Sequence, residues 1–119
     1  QRYIAAAKDN CAKEGASFSI SYDIESSYAQ ADIVYAKSWG CLDFYGRAND
    51  QMTSNEQYKH FIVDESKMDL TNNAVFSHCL PLRRNVKATD AVMDADYCLA
   101  VEEAANRKHV QKSMLTKIL

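Results

Sequence analysis

Short runs of β-branched and aromatic residues alternate with helical patterns along this chain, and that alternation narrows its possible folds more than any other feature. Ser17 to Tyr22 alternates around Phe18 and Ile20, and Asp32 to Ala36 contains Ile33, Val34 and Tyr35. Ala74 to His78 and Cys98 to Val101 are two further strand candidates. All four have the length and residue types that suit a pleated, half-buried or buried backbone. Helical spacing separates them. Ile4, Ala7 and Cys11 recur within residues 1–14, and Gly15 supplies a stop. Strands alternating with helices predict a parallel, right-handed α/β sheet. Such a sheet needs cover on both faces, so four short strands would make a thin version of it.

Finer elements follow from local chemistry. Asp23 is placed to cap a helix over Ile24–Gln30 through its side-chain oxygen, and Thr89 a helix reaching Ala95. Short helices are expected near Glu56–Phe61 and Asp64–Leu70, and Pro81 follows the third strand. The polar stretch from Ser38 to Asn55 has no clear period, which marks a functional or disordered loop. A last helix is expected from Glu102 to the end, with Val110, Met114 and Ile118 four residues apart. Its acids at the start and Lys112 and Lys117 later suit the helix macrodipole. Both chain ends fall within helical patterns, so the chain is expected to be part of a longer one.

Composition removes several function classes. The chain has 119 residues, which predicts one compact unit. Its formal net charge is −2, so it carries no broad footprint for nucleic acid or an anionic membrane. No apolar run approaches the roughly 18 residues of a membrane span, and the cytoplasm is the expected location. The four cysteines, Cys11, Cys41, Cys79 and Cys98, are irregularly spaced, with no Cys-x-x-Cys pair or Cys/His cluster. That spacing argues against a structural metal and favours reduced, mostly buried thiols over disulfides.

Ligands of open α/β sheets gather at the carboxyl ends of the strands. Lys37-Ser38-Trp39-Gly40 follows the second strand and Cys79-Leu80-Pro81-Leu82-Arg83-Arg84-Asn85-Val86-Lys87 the third. Arg107 lies early in the last helix. Together Lys37, Lys87, Arg83, Arg84 and Arg107 would suit an anionic ligand, such as a phosphate or a carboxylate. Blander roles stand beside this one. The lysines and Arg83-Arg84 suit solvated surface charges with packed stems. Cys79 and His78 suit core positions, Trp39 suits packing, and Arg107 is spaced to pair with Glu103 at i,i+4. His60 and His109 lack an arranged carboxylate or serine and read as structural. Spacing alone stops at an α/β domain with a candidate anion site.

The run His78-Cys79-Leu80-Pro81 at a strand end resembles the His-Cys-Leu-Pro signature of the carbamoyltransferase family. Phe76 through Asp90, Val34 through Gly40, and Glu103-Ala104-Ala105-Asn106-Arg107 resemble the N-acetylornithine branch. Phe61 to Glu65 and Leu70 to Asn73 continue the likeness, which covers essentially the whole chain. The Ser-Met-Gly loop of the ornithine enzymes does not occur. The resemblance implies the C-terminal, amino-acid-binding domain of a carbamoyltransferase, a partial Rossmann-like parallel sheet with flanking helices. Residues 1–101 would belong to that domain. Residues 102–119 would form a helix packing on an N-terminal domain that this chain does not contain.

It further implies a homotrimeric, cofactor-free transferase of arginine biosynthesis, with carbamoyl phosphate and N-acetylornithine as substrates. The family's Ser-Thr-Arg-Thr phosphate loop has no counterpart here, so the chain alone is expected to be inactive. By the same resemblance, Cys79, Leu80 and Arg107 would contact carbamoyl phosphate, with Cys79 and Arg107 in the catalytic role. Lys37 and Leu80 would contact the acetylated amino acid. Lys87 occupies a position at which the branch can carry a carboxylated lysine, and no metal is required. Two other readings remain. One is an N-succinylornithine carbamoyltransferase; the other is a non-catalytic carbamoyltransferase-like binding domain. A nucleotide module of the Gly-x-Gly-x-x-Gly kind is disfavoured, because the glycines are Gly15, Gly40 and Gly46.

Overall fold

A computed structural model describes residues 2–39, 42–44, 46–47 and 56–119. Two parallel strands form its sheet: β1 (Ile33–Ala36) pairs with β2 (Val75–His78), Val34 opposite Phe76 and Ala36 opposite His78. The helices in chain order are α1 (Arg2–Lys13), α2 (Ile24–Tyr28), α3 (Glu65–Met68), α4 (Asp90–Met93) and α5 (Ala100–Ile118). Two 3-10 turns, Leu42–Phe44 and Lys59–Phe61, lie between β1 and α3 among the described residues. Among the described residues, no helix is long and apolar enough to cross a membrane.

The core lies against one face of β2. Val63, Met68, Ala74, Phe76, Ala88 and Val92 are buried together, with Val34, Ala36, Leu82 and Tyr97 among the side chains packed around them. Phe76 and Val92 are fully excluded from solvent. Both middle strands were legible as apolar runs, and the parallel α/β arrangement is the expected one.

Several expected elements take a different form. Ser17–Tyr22 is not a strand. Its alternation supplies side chains for a face, but a strand also requires a neighbour's N–H and C=O groups, and it has no ladder partner among the described residues. Phe18 and Ile20 are accordingly exposed. Cys98–Val101 contributes a single parallel bridge in place of a fourth strand. Phe76 N donates to Tyr97 O at 2.9 Å, and Leu99 N donates to Phe76 O at 2.8 Å. The helix then takes over: Glu103 N donates to Leu99 O, so α5 starts at Ala100, two residues before the expected Glu102. A comparable bridge joins Val63 to Ala88.

Of the helix expected near Glu56–Phe61, Lys59–Phe61 is a 3-10 turn, and the other short helices are trimmed at their ends. Most of the Ser38–Asn55 loop, with Gly40 and Cys41, lies outside the described residues. Thr89 caps α4 as expected, its hydroxyl accepting from Val92 N. Asp23 does not cap α2 with its carboxylate. Its carbonyl instead accepts from the hydroxyls of Ser26 and Ser27. Asp64 caps α3 by accepting from Lys67 N at 3.0 Å, and pairs with the Lys67 ammonium. Cys11, Cys79 and Cys98 are free and half-buried, less enclosed than expected.

Candidate active site

The strand register builds the centre of the site. Ala36 and His78 are opposite one another at the ends of β1 and β2, so Lys37 and Cys79 leave the sheet side by side. Lys37 Nζ donates to Cys79 Sγ at 3.1 Å. Arg107, in the second turn of α5, donates from Nη2 to the Cys79 carbonyl at 2.9 Å. Residues distant in sequence, 37, 79 and 107, thus meet at the carboxyl end of the sheet. Arg107 is not simply the i,i+4 partner of Glu103. One of its five guanidinium N–H groups orients it on the Cys79 backbone, and the others are the kind of donors that bind an anion.

The turn after Cys79 is held from inside. Leu80 sits at φ 44°, a left-handed conformation that costs a non-glycine residue about 1–3 kcal/mol. Its N–H donates to His78 Nδ1 at 2.9 Å, and the Leu80–Pro81 bond is cis. An accepting Nδ1 places the proton of the neutral ring on Nε2. That atom is buried without a hydrogen-bond partner among the described residues. Burial, and then the positive charge of Lys37, hold the His78 pKa below the usual histidine value. His78 is therefore a core histidine only half satisfied, with its free side fixed as a donor.

One residue back along each strand, Tyr35 and Ser77 are also cross-strand partners. Both hydroxyls converge on Glu103 in the first turn of α5. Tyr35 donates to Oε1 at 2.7 Å and Ser77 donates to Oε2. The Ser77 and Tyr35 hydrogen bonds, in that order, hold the Glu103 carboxyl below the usual range, with Arg107 adding to them. The reciprocal effect pushes the Tyr35 hydroxyl up to about 12. Sequence reasoning missed this triad, although Tyr35 and Ser77 each stand two residues before a singled-out residue, Lys37 and Cys79.

Lys87 is the buried cation among the described lysines and arginines, whereas Lys37 and Arg107 are exposed. It is 3% exposed, with Nζ 3.4 Å from the centre of the Trp39 ring. Burial, then the nearby Arg83, lower its pKa, whereas a ring face favours the cation. Lys37, Trp39 and Lys87 share the lining of a cavity of about 280 Å³ beside β1, with Tyr28, Val34 and Phe61. Trp39 therefore does more than fill space.

The expected five-cation cluster is only partly assembled. Arg84 is committed elsewhere, to Asp90 at 2.8 Å and to Asp94. Those bonds brace the Leu82–Lys87 loop against α4 and remove Arg84 from the candidate anion site. Arg83 is exposed and reaches the site only through its field on Lys87. His60 stacks on Phe61, its ring centre 4.3 Å away, and His109 is exposed on α5.

Residues 1–118 match the family model described as "Aspartate/ornithine carbamoyltransferase, Asp/Orn binding domain". The chain belongs to this family. An N-acetylornithine carbamoyltransferase of Xanthomonas campestris is 58% identical over 119 residues, covering 100% of this chain and 35% of that protein. A solved acetylornithine transcarbamylase complexed with acetylcitrulline superposes with a TM-score of 0.88 at 58% identity. The match covers 99% of this chain and 35% of that one. An N-succinylornithine carbamoyltransferase of Bacteroides fragilis is 36% identical over 102 residues, covering 84% of this chain and 30% of that protein. The chain thus spans about a third of the length of these relatives. The carbamoyltransferase likeness of His78-Cys79-Leu80-Pro81 is borne out across the whole chain.

Proposed function

We propose that this chain is the amino-acid-binding part of an enzyme that transfers the carbamoyl group of carbamoyl phosphate to the side-chain amine of N-acetylornithine. The products are N-acetylcitrulline and inorganic phosphate. The observation that carries the reading is the meeting of Lys37, Cys79 and Arg107 at the sheet's carboxyl end, in a chain 58% identical to enzymes of that name. The 36% identity to a succinylornithine enzyme supports the acetyl acceptor over the succinyl one.

In this reading the uncharged amine attacks the carbonyl carbon of carbamoyl phosphate. A tetrahedral intermediate forms, the amine nitrogen loses a proton, and phosphate leaves with the bonding pair. Arg107 and the Cys79–Leu80 backbone address carbamoyl phosphate, while Lys37 and Leu80 address the acetylated amino acid. Catalysis of this kind rests on holding two reactants together and on fixed donors facing the developing charge. The strained Leu80 turn and the anchored guanidinium are groups of that sort, set before substrate arrives. The remaining phosphate contacts, a cytoplasmic homotrimer and the docking of residues 102–119 on a second domain belong to the whole protein under the same reading. The test is full-length enzyme with carbamoyl phosphate and N-acetylornithine. Equal amounts of ureido product and phosphate are expected, and no product would remove the activity.

Lys87 is read as a carboxylation site. Burial and Arg83 favour its free amine, which can attack carbon dioxide at carbon and release a proton to give a carbamate. The Trp39 face opposes this, so the modified side chain has to leave the ring. In bicarbonate buffer, native mass spectrometry is expected to show one added carbon dioxide, lost in Lys87→Arg. An unmodified mass at saturating bicarbonate would reject it.

A further inference from the structure

Helix α5 runs 19 residues, from Ala100 to Ile118. Its root is tied to β2 through the Leu99–Phe76 backbone bond, and one turn further on Glu103 is held by Tyr35 and Ser77. Residues at i and i+4 lie on one helix face. A carboxylate fixed at position 103 thereby fixes where position 107 projects, and Arg107 Nη2 lands on the Cys79 carbonyl. The same two strands supply both ends of this arrangement. Tyr35 and Ser77 grip Glu103 from the strand bodies, and Cys79 at the end of β2 receives Arg107.

We propose that Glu103 is a positioning residue, gripped by Tyr35 and Ser77 so that Arg107 is aimed at carbamoyl phosphate beside the Cys79 turn. The inference rests on the reading of Arg107 as a carbamoyl phosphate contact. Glu103 itself touches no reacting atom. It acts through the direction of α5 and the angle of the guanidinium, where a displacement of about 1 Å can cost up to 100-fold in rate.

The test is a double-mutant cycle in the full-length enzyme, reading kcat/KM for carbamoyl phosphate and KM for the acceptor. Glu103→Ala is expected to lower kcat/KM by roughly 10-fold and leave the acceptor KM within about 2-fold. In an Arg107→Ala background the same change is expected to lower it by less than about 2-fold, because both substitutions remove one effect. The Tyr35→Phe/Ser77→Ala double variant keeps the carboxylate but removes both grips. It is expected to repeat the result, and it carries the test if Glu103→Ala does not fold. Full additivity with Arg107→Ala, or unchanged kinetics in both variants, would overturn the positioning role. No effect from Arg107→Ala itself would instead reject the underlying reading of Arg107.

Discussion

Arg107→Ala in the full-length enzyme is expected to lower kcat/KM for carbamoyl phosphate by at least ~100-fold, the scale of losing one fixed transition-state donor. The argument starts from geometry. Arg107 is set 2.9 Å from the Cys79 carbonyl, so its guanidinium is oriented before any ligand binds. A pre-oriented donor pays little reorganisation cost as charge builds on the leaving phosphate. Its planar fork also matches phosphate oxygens in a way that an ammonium does not. Arg107→Lys is therefore expected to recover only part of the loss. The acceptor KM should change little, because Lys37 and Leu80 carry that contact in this reading. Wild-type kcat/KM in Arg107→Ala would remove the residue from the site.

Phe76→Ala is the largest expected stability change, a loss of about 3–5 kcal/mol from the missing ring contacts and the cavity left behind. Phe76 is fully buried, and its backbone binds Tyr97 and Leu99 on one side while its strand pairs with β1 on the other. Those backbone bonds survive the substitution, so the effect reports packing alone. A loss of that size is a large share of the roughly 5–15 kcal/mol that holds a domain folded. Phe76→Leu keeps most of the volume and is expected to cost less. Urea titration reads both as lower midpoints, and an unchanged midpoint for Phe76→Ala would deny the core its centre.

What could be read from sequence was what local chemistry decides. Ile33-Val34-Tyr35 and Val75-Phe76 are apolar and β-branched or aromatic, so β1 and β2 were legible without their partners. Thr89 caps α4 because a hydroxyl two or three residues before free N–H groups acts within one turn. Ser17–Tyr22 misled because alternation describes a side-chain pattern, while strand formation depends on a neighbouring backbone. Cys98–Val101 misled because one bridge to Phe76 is followed at once by Ala100, which favours the helix.

The site divided along the same line. Lys37, Cys79 and Arg107 were found through a strand-end argument and a family likeness. Arg84 was grouped with them because sequence shows its charge and not its partners, Asp90 and Asp94. The Tyr35–Glu103–Ser77 triad was missed because it is written in register, its two hydroxyls 42 positions apart in the chain and its carboxylate on a helix beyond. Lys87 is legible from its place after the third strand, and its carboxylation from the family likeness, but the Trp39 ring beneath its ammonium comes only with the fold.

The most direct test of the central claim is the acceptor ranking of the full-length enzyme, measured as kcat/KM for ureido product from N-acetylornithine, N-succinylornithine and ornithine with carbamoyl phosphate saturating. The expected result is that N-acetylornithine ranks first by a wide margin: its missing α-ammonium charge separates it from ornithine, and the 58% against 36% identity to the two kinds of relative favours it over N-succinylornithine. Preference for ornithine or N-succinylornithine would keep the fold and contradict the substrate. Turnover with none of the three would contradict the catalytic reading itself.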